Sequence, residues 1–578
     1  MNTRGSRVRI SMSVIVVFVV VAIFVGRLVD IQLVQAAELN AESKDKRAQS
    51  LVTYGMRGDI VDTNGAVLAD TVLRYDMTAS PRVALSRKDA PASVISDLGR
   101  IAAITGQDPA VMLAEFTADP ESDFAYVSKG LTLDQFQAVA DLDISWIYPE
   151  RRPTRSYPNG EIAGNLVGFV GTDGAQAGVE LMEDECLAST NGTATYESSE
   201  DGTQLPGSVV TTDQPKDGGT VHLTIDRDLQ FYVQQRMEQV AIELGATWAT
   251  AVVMRVSDGH LMAVTDWPTV DPNDVSSAPR DALGSRAFST PYEPGSTMKA
   301  VTAASLLDAG VATPETGVVS PFRLLQSDGT YINDSFQHAT LNLTLAGTLV
   351  ESSNTAIAAF TEMLPAQQRH DYMEKFGIGK YTEVDFNGES RGELAPADEW
   401  YGRTNYTVQF GQGMSTTSVQ VASIYQALAN GGVRMPVTLV EGCEQPDGTM
   451  TELPSTEGSR VVSESAADQT IAIMEQVANF SGSAARLQIP GYRTAVKSGT
   501  AQVANGNGTG YGESVVLSFA GVAPADDPQY VVVVTTGIPN KMYSGKMAAT
   551  WHDVMAQVLM HFRVEPSTSP APELPLRW

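Results

Sequence analysis

Tyr-Glu-Pro-Gly-Ser-Thr-Met-Lys-Ala, residues 292–300, is the segment from which both the fold and the chemistry of this chain can be predicted. A Pro-Gly turn precedes Ser296, and a run rich in Ala, Val and Leu follows as far as Gly310. Ser296 is therefore predicted at the start of a helix, with Lys299 one turn later on the same face. A serine hydroxyl needs a nearby base to act as a nucleophile, and a lysine kept neutral by burial or by a second cation can be that base. The N–H groups and positive dipole end at a helix start also favour a developing oxyanion.

The Ser-x-x-Lys pattern alone is weak evidence, because it occurs twice in this chain. Ser43–Lys46 has the same spacing, but it lies in a charged stretch just after an apolar segment. A short motif is a hypothesis until its structural context supports it. Only the pattern at Ser296 has a turn before it and an apolar helical run after it.

Composition predicts a globular protein of several domains. The chain has 578 residues, of which 43% are hydrophobic and 19% charged, enough for two to four domains and a large core. The net charge of −29 argues against nucleic acid as a partner. Cys186 and Cys443 lie far apart, so neither a disulfide framework nor a zinc site is predicted, and both are interpreted as unpaired buried thiols.

The N-terminal segment predicts a membrane anchor. Ile10–Gly26 carries no charged side chain, Arg27 can snorkel, and further apolar residues extend the span to residues 10–34. Arginines cluster in residues 1–9, so that tail is predicted to be cytoplasmic, with the remainder of the chain outside the membrane. The alternative is a cleaved signal peptide ending near Ala36-Ala37, although charged residues interrupt the approach to that site.

Two domains and a tail are predicted after the anchor. The pattern of Arg57–Ala69 predicts a β-hairpin with its turn at Asn64-Gly65. A stretch rich in Gly, Pro, Thr and Asp over 201–220 indicates a boundary, which gives domains over 35–215 and 216–564. Residues 565–578 contain Pro and Ser and are predicted to be a disordered tail.

The second domain is predicted to be α+β, because strand patterns begin and end it and helical patterns lie between. Its sheet is expected to have helices on both sides. The segments with strand patterns are Val221–Ile225, Thr250–Arg255, His260–Thr265, Arg493–Val503, Ser514–Val522 and Tyr530–Thr536. The helix after Asp226 ends at Gly245, and the last helix covers Ala548–Phe562.

Two further short patterns accompany Ser296 and Lys299. Ser352-Ser353-Asn354 opens or precedes an apolar helix, and Lys497-Ser498-Gly499-Thr500 lies in a predicted strand. Each alone is weak, and Ser-x-Asn recurs at Ser189–Asn191. The occurrence of all three patterns in one chain, in this order, is far more specific than any one of them.

With these three elements in this order, the chain resembles the class B penicillin-binding proteins, which are membrane-anchored D,D-transpeptidases of bacterial cell-wall synthesis. The resemblance extends to the anchor and to Arg57–Gly65, Arg155–Pro158, Gly178–Glu180, Phe410–Gly413 and Lys497–Gln502. Thr63 departs from the arginine often found there, and Ala495-Val496 departs from the usual Ala-Gly. The implied fold is a serine β-lactamase-like transpeptidase domain with an antiparallel sheet, on a pedestal of the dimerisation type.

The resemblance also implies roles for the motif residues. Ser296 would attack the carbonyl between the last two D-alanines of a stem peptide, and Lys299 would take its proton. Ser352 would relay a proton to the leaving amine, and Asn354 would bind Lys299 and an amide oxygen of the substrate. Lys497 would keep Lys299 neutral by charge repulsion.

The substrate carboxylate would be held by Ser498 and Thr500 beside Lys497. Gly499 would let the strand run close to the substrate, which would add to it as a further strand. The backbone N–H groups of Ser296 and Thr500 would form the oxyanion hole.

The sequence leaves several functional alternatives open. Phe169–Glu180 and Gly202–Pro206 favour a division-type, FtsI-like enzyme over an elongation-type paralogue. A D,D-carboxypeptidase, a β-lactam sensor or hydrolase, and a non-catalytic divisome scaffold are the others. The implied partners are stem peptides, β-lactams, a membrane glycan polymerase of the SEDS type (FtsW-like) and other division proteins. No cofactor or metal is expected, and His338 is interpreted as structural.

Overall fold

The computed structural model describes residues 3–37, 48–197, 207–505, 510–540 and 545–578. Ser43–Lys46 and Gly202–Pro206 lie outside the described residues. The chain forms two compact units, of which the first combines Met1–Met56 with Ser189–Asp217 and the second combines Arg57–Ala188 with Gly218–Trp578.

The regular elements of the described residues are numbered here in chain order. The strands are β1 (Ala48–Thr53), β2 (Ile60–Val61), β3 (Val67–Ala79), β4 (Ala125–Leu131), β5 (Ile147–Ser156), β6 (Val170–Gly171), β7 (Gly174–Ala175), β8 (Gly192–Glu197), β9 (Val210–Asp213), β10 (Thr220–Leu223), β11 (Trp248–Arg255), β12 (Leu261–Trp267), β13 (Gly317–Ser320), β14 (Arg323–Leu325), β15 (Tyr331–Asn333), β16 (Leu341–Thr344), β17 (Val433–Arg434), β18 (Val440–Glu444), β19 (Met450–Thr451), β20 (Ser459–Arg460), β21 (Ala495–Ala504), β22 (Tyr511–Ala523) and β23 (Tyr530–Ile538). The α-helices are α1 (Thr3–Val29), α2 (Pro81–Leu85), α3 (Ala92–Thr105), α4 (Pro109–Phe116), α5 (Leu133–Ala140), α6 (Gly164–Val167), α7 (Gly178–Met182), α8 (Asp184–Leu187), α9 (Arg227–Leu244), α10 (Arg286–Ser289), α11 (Lys299–Asp308), α12 (Leu345–Glu351), α13 (Asn354–Thr361), α14 (Ala366–Lys375), α15 (Thr404–Thr407), α16 (Ser418–Ala429), α17 (Glu464–Phe480) and α18 (Lys546–His561).

The first unit contains the predicted apolar helix. Helix α1 continues as a π-helical turn over Asp30–Val34, and Arg7–Val34 is long and apolar enough to cross a membrane. The same unit contains a three-stranded antiparallel sheet in the order β1-β8-β9.

The second unit has two large sheets, and the first of them contains the predicted hairpin. Its strand order is β19-β18-β10-β2-β3-β4, with β5 also paired to β3. Strands β2 and β3 pair antiparallel across Asn64-Gly65, where Asp62 Oδ1 accepts hydrogen bonds from the backbone N–H groups of Asn64 and Ala66. The turn chemistry predicted for this segment is therefore confirmed.

A buried carboxylate joins three of the segments that carry the family resemblance. Glu180 is fully buried and accepts from Arg57 Nε at 2.8 Å and from Arg155 Nε at 2.6 Å. Tyr157 donates its hydroxyl to the same side chain at 3.2 Å. A buried charge is tolerated only when paired and hydrogen-bonded, so these residues stabilise one another as a set.

The second sheet of this unit has five antiparallel strands in the order β12-β11-β23-β22-β21, which places β21 at an edge. Alternate valines of β23 face opposite sides, with Val532 and Val534 packed towards α9 and α18. Val531 and Val533 face the core that includes α11, α16 and α17. The predicted α+β sheet with helices on both faces is confirmed, as are the Asp226 cap and the left-handed Gly245 of α9.

The interpretation of the two cysteines as unpaired thiols is wrong. Cys186 in α8 and Cys443 in β18 form a disulfide, with their Cα atoms 6.1 Å apart. They are separated by 257 residues along the chain and meet because α8 packs beside β10, the strand next to β18. A pairing of this kind depends on the tertiary fold, and sequence spacing alone carries no sign of it.

Breaking this disulfide should lower stability without removing the active site. Replacing both Cys186 and Cys443 with alanine should reduce the free energy of unfolding by about 2–4 kcal/mol, since a long loop is no longer closed in the unfolded chain. Urea denaturation with and without a thiol reductant checks this. The reductant should shift the midpoint of the original protein and leave that of the double variant unchanged, and an unshifted midpoint in the original protein would contradict the pairing.

The prediction of a disordered tail is also wrong. Residues 565–578, called the strap below, have little regular structure but are bound along their length to the second unit. Ser567 Oγ accepts from Arg493 N, Pro572 O accepts from Gln476 Nε2, and Leu576 O accepts from Thr344 N. Proline and serine content indicated flexibility, whereas Leu574 and Leu576 pack on the core and hold the segment in place.

Candidate active site

Ser296 lies on a tight turn that precedes helix α11. Gly295–Met298 forms a 3₁₀ turn and the α-helix begins at Lys299, three residues later than predicted for a helix starting at the serine. Gly295 has φ +61° and donates its N–H to Gly411 O at 2.9 Å. A Cβ at Gly411 would lie only 2.6 Å from Gly295 N, so the Phe410–Gly413 motif closes directly against the turn.

Lys299 is fully buried and points at the Ser352–Asn354 motif. Its Nζ donates to Asn354 Oδ1 at 2.8 Å, to Ser352 O at 2.5 Å and to Ser352 Oγ at 3.3 Å. Burial, and then the charge of nearby Lys497, hold the pKa of Lys299 well below its usual value. The side chain therefore has the neutral form accessible that a general base requires.

Ser352 lies between the two lysines of the predicted site. It caps the C-terminus of α12 in the left-handed region, with φ 53°, a conformation that is uncommon for a residue with a Cβ. Lys497 Nζ donates to Ser352 Oγ at 3.0 Å and to Ser498 O at 3.1 Å. Burial lowers the pKa of Lys497 to about 7. One hydroxyl is thus shared by two buried amines.

The Ser296 side chain is half-buried, and no described group forms a hydrogen bond with its Oγ. Its turn is fixed by neighbours instead, because Thr297 Oγ1 donates to Pro294 O and the Tyr425 hydroxyl donates to Thr297 O at 2.9 Å. The hydroxyl is consequently available to an incoming group, while the backbone that carries it is held.

Strand β21 presents the residues after Lys497 to alternate sides. Ser498 is half-buried and Thr500 is exposed, whereas Lys497 and Gly499 are buried. A Cβ at Gly499 would lie 2.6 Å from Pro294 O and would also clash with Ser518. Glycine is thus needed here for the close approach of β21 to the turn carrying Ser296, a different reason from the approach to substrate expected from the sequence.

Asp334 is a residue of the site that sequence reasoning missed. It accepts hydrogen bonds from the backbone N–H groups of Asn354 at 2.5 Å and Thr355 at 3.0 Å, and from Ser353 Oγ at 2.9 Å. Its charge at the start of α13 holds the Ser353-Asn354 backbone through the helix N–H groups and dipole. The sequence shows no signal for this contact, because Asp334 follows strand β15 and lies 20 residues before Asn354.

His338, interpreted as structural, donates its Nε2–H to Asp334 Oδ2 at 2.8 Å. Burial alone would lower the pKa of His338, but its hydrogen bonds to Ala339 O and Asp334 outweigh that effect and raise it. The histidine therefore shares Asp334 Oδ2 with Ser353 and Thr355, whose hydroxyls donate to the same oxygen.

Replacing Asp334 with asparagine should disturb the site through Asn354. An amide oxygen carries no full charge and its NH₂ group cannot accept, so the loss of acceptor bonds should cost about 1–3 kcal/mol of stability. We expect acylation by a β-lactam to slow by about tenfold through the displaced Asn354. Asp328→Asn, the same change at an exposed turn between β14 and β15, is the matched control and should leave the acylation rate unaltered. Equal rates in the two variants would contradict the role of Asp334.

Hydrogen bonds join Lys299, Ser352, Asn354 and Lys497, and Ser296 lies on the turn that leads into Lys299. The chain also matches known proteins over both halves of its length. A family model described as the penicillin-binding protein transpeptidase domain matches residues 249–559, and one described as the penicillin-binding protein dimerisation domain matches residues 52–223. The chain belongs to the penicillin-binding proteins. The family predicted from the three motifs is confirmed.

Relatives of this penicillin-binding protein match it over nearly its full length. Penicillin-binding protein PbpB of Mycobacterium tuberculosis is 32% identical, covering 100% of this chain and 88% of the relative. Peptidoglycan D,D-transpeptidase FtsI of Escherichia coli is 28% identical, covering 95% and 91%.

Two solved structures share the fold. Penicillin-binding protein 3 of Mycobacterium tuberculosis, in complex with ampicillin, superposes with a TM-score of 0.71 at 28% identity, covering 91% of this chain and 100% of that one. A peptidoglycan synthetase from Bifidobacterium adolescentis gives a TM-score of 0.72 at 28% identity, covering 92% and 100%.

Proposed function

We propose that this penicillin-binding protein is a peptidoglycan D,D-transpeptidase that cross-links stem peptides through an acyl-enzyme on Ser296 and is a target of β-lactams. The observation that carries the proposal is the Ser352 hydroxyl shared by buried Lys299 and Lys497, beside the turn that carries Ser296. Two buried amines around one hydroxyl form a path for a proton, which acyl transfer from an amide requires in both directions. The names and bound ampicillin of the relatives support the same activity.

In the first step, Ser296 Oγ attacks the carbonyl carbon between the last two D-alanines. Lys299 Nζ takes the hydroxyl proton as the O–C bond forms. Collapse of the tetrahedral intermediate breaks the C–N bond, and a proton passes through Ser352 to the departing amine of D-alanine. The free hydrogen-bonding capacity of Ser296 and the contacts from Lys299 to Ser352 support this order.

In the second step, an amine of a neighbouring stem peptide attacks the ester carbonyl. The new C–N bond forms, the C–O bond to Ser296 breaks, and the amine proton returns to Ser296 through the same lysines. Water in place of the amine would give a D,D-carboxypeptidase, so the acceptor decides between the two activities.

The substrate is proposed to bind along the open edge of β21. Ser498 and Thr500 would hold its terminal carboxylate beside Lys497, and an extended peptide would add to the edge by backbone hydrogen bonds. A Cβ at Gly295 would lie 3.0 Å from Thr500 O, so the two backbones run close together. This proximity supports an oxyanion hole formed by the N–H groups of Ser296 and Thr500.

We also propose a membrane topology for the chain and a partner protein in the cell. Residues 10–34 are the anchor, residues 1–9 lie in the cytoplasm, and the pedestal (35–215) and transpeptidase domain (216–564) lie outside the plasma membrane. The family models, which end at residue 223 and begin at residue 249, support this division of the chain. The FtsI name of one relative supports a role in cell division. An FtsW-like glycan polymerase is the partner proposed for that role.

A donor peptide ending in D-alanyl-D-alanine, with an amine acceptor, tests the activity. The full chain in detergent should release D-alanine and form the transfer product in equal amounts. Release of D-alanine with hydrolysis alone would contradict transpeptidation in favour of a carboxypeptidase, and no release would contradict both.

The rate of acylation should have a bell-shaped pH profile. Lys299 accepts a proton only when neutral, so the rate should fall as the pH drops through its lowered pKa. Lys497, with a pKa of about 7, loses its positive charge above neutral pH, so the rate should also fall on the alkaline side.

Lys497→Met separates the two limbs. Without the neighbouring charge the pKa of Lys299 rises, so the acid limb should move to higher pH and the alkaline limb should vanish. The maximal rate of acylation should fall by about 10²-fold, since the carboxylate of the substrate or β-lactam also loses the positive charge of Lys497. An acid limb at unchanged pH would contradict the coupling between the lysines.

A further inference from the structure

The strap, residues 565–578, runs from the start of β21 to the elements beside Ser352. It leaves the edge of the domain at Ser567, bonded to Arg493 N, and passes α17 where Pro572 O accepts from Gln476 Nε2 at 2.8 Å. It ends against β16, where Thr344 Oγ1 donates to Pro575 O at 2.6 Å. The strap lies beyond residues 249–559, which the transpeptidase family model matches.

The first functional element that the strap contacts is helix α12. Leu576 packs so closely on this helix that a Cβ at Gly347 would lie 2.8 Å from the Leu576 carbonyl carbon and would overlap its oxygen. Arg577 Nη2 pairs with Glu351 Oε1 at 3.3 Å, one residue before Ser352. Helix α12 ends at Glu351 and is capped by Ser352, which has the left-handed conformation and whose hydroxyl accepts from both lysines.

The second element that the strap contacts is strand β13. Trp578 Nε1 donates to Val318 O at 3.4 Å, and a Cβ at Gly317 would overlap the Trp578 ring. The same strand ends at Ser320, whose buried Oγ bonds Ser353 Oγ at 2.8 Å and Thr355 Oγ1 at 2.9 Å. The strap therefore touches two of the elements that hold the Ser352–Asn354 motif: α12, which precedes it, and β13, which bonds Ser353 and Thr355.

We propose that the strap is a positioning element for the acylation of Ser296, acting through α12 and β13 to keep the Ser352 hydroxyl between Lys299 and Lys497. Leu576 and Trp578 are its positioning residues. A buried hydroxyl serves a proton relay only if it is held within hydrogen-bond distance of both amines, and a displacement of 1 Å is enough to slow a reaction severely. The inference rests on the proposed transpeptidase function and adds a determinant of its rate outside the three motifs.

The test compares Gly347→Ala with a replacement of residues 574–578 by a Gly-Ser sequence, singly and together, in the full chain in detergent. Each single variant should slow acylation by a fluorescent penicillin on the order of tenfold and shift its pH profile. Alanine favours a helix, and the three atoms nearest to its Cβ at position 347 all belong to Leu576, so Gly347→Ala should have no further effect once the strap is replaced. Loss of stability alone would reduce the labelled fraction and leave the rate constant and pH profile of the folded protein unchanged.

Glu573→Ala, an exposed position within the strap, is the matched control and should acylate at the original rate. If the Gly-Ser replacement does not fold, Trp578→Ala is the milder variant. It should slow acylation and shift the pH profile of the acylation rate in the same direction as Gly347→Ala. Unchanged rate constants and pH profiles in folded strap variants would overturn the proposal, as would a full additional effect of Gly347→Ala after strap replacement. An original protein that is not labelled at all would contradict the proposed function itself.

Discussion

Replacing Ser296 with alanine should abolish covalent labelling of the protein by a fluorescent penicillin while the fold is retained. The hydroxyl is the atom to which the acyl group is attached, so no other residue of the site can substitute for it. No described group hydrogen-bonds Ser296 Oγ, so its removal should leave the thermal unfolding midpoint close to that of the original protein. Gel fluorescence after incubation, together with the unfolding midpoint, measures both.

Ser43→Ala is the matched control for this experiment, because Ser43 begins the other Ser-x-x-Lys pattern of the chain. That variant should be labelled at the original rate. Labelling retained after Ser296→Ala would contradict the assignment of the nucleophile, and labelling lost after Ser43→Ala would contradict the choice between the two patterns.

The second large effect is expected from Lys299→Met. Methionine keeps most of the volume of the buried side chain but cannot accept a proton, so acylation should slow by about 10³-fold or more. Ser352 O and Asn354 Oδ1 also lose a donor, which should lower stability by about 1–3 kcal/mol. Stopped-flow acylation with a β-lactam reports the rate constant of the folded protein, separate from its amount.

Lys380→Met, at an exposed position, is the control and should acylate normally. If Lys299→Met acylated within a few-fold of the original rate, Lys299 would not be the base. Recovery of the rate at high pH would not be expected, since the variant has no amine at this position to deprotonate.

Local patterns were enough to predict the elements that carry the chemistry. Asp226 and Gly245 mark both ends of α9, and Asn64-Gly65 marks the hairpin, because caps and tight turns depend on neighbouring residues. The Ser296–Lys299 spacing, the motif at Ser352 and the strand at Lys497 were found in the same way. Their assembly into one site followed from the family that the three motifs indicated together.

The contacts that sequence reasoning missed join residues far apart in the chain. The Cys186–Cys443 disulfide and the capping of α13 by Asp334 arise only once the sheets and helices have packed. The Pro and Ser content of the strap predicts disorder, because these residues indicate local flexibility. Its order comes instead from packing of Leu576 on the core. The sequence predicts that position 499 must be glycine. Only the fold shows that the group a Cβ there would clash with is the turn at Pro294.

Ser296 is the residue on which the covalent acyl-enzyme is expected to form. Mass spectrometry of the protein after reaction with a β-lactam, followed by proteolysis and peptide mapping, tests it most directly. We expect one added β-lactam mass per chain, attached to Ser296 in the peptide that contains Tyr292–Ala300. A stable adduct on any other residue, or binding without a covalent mass increase, would contradict it.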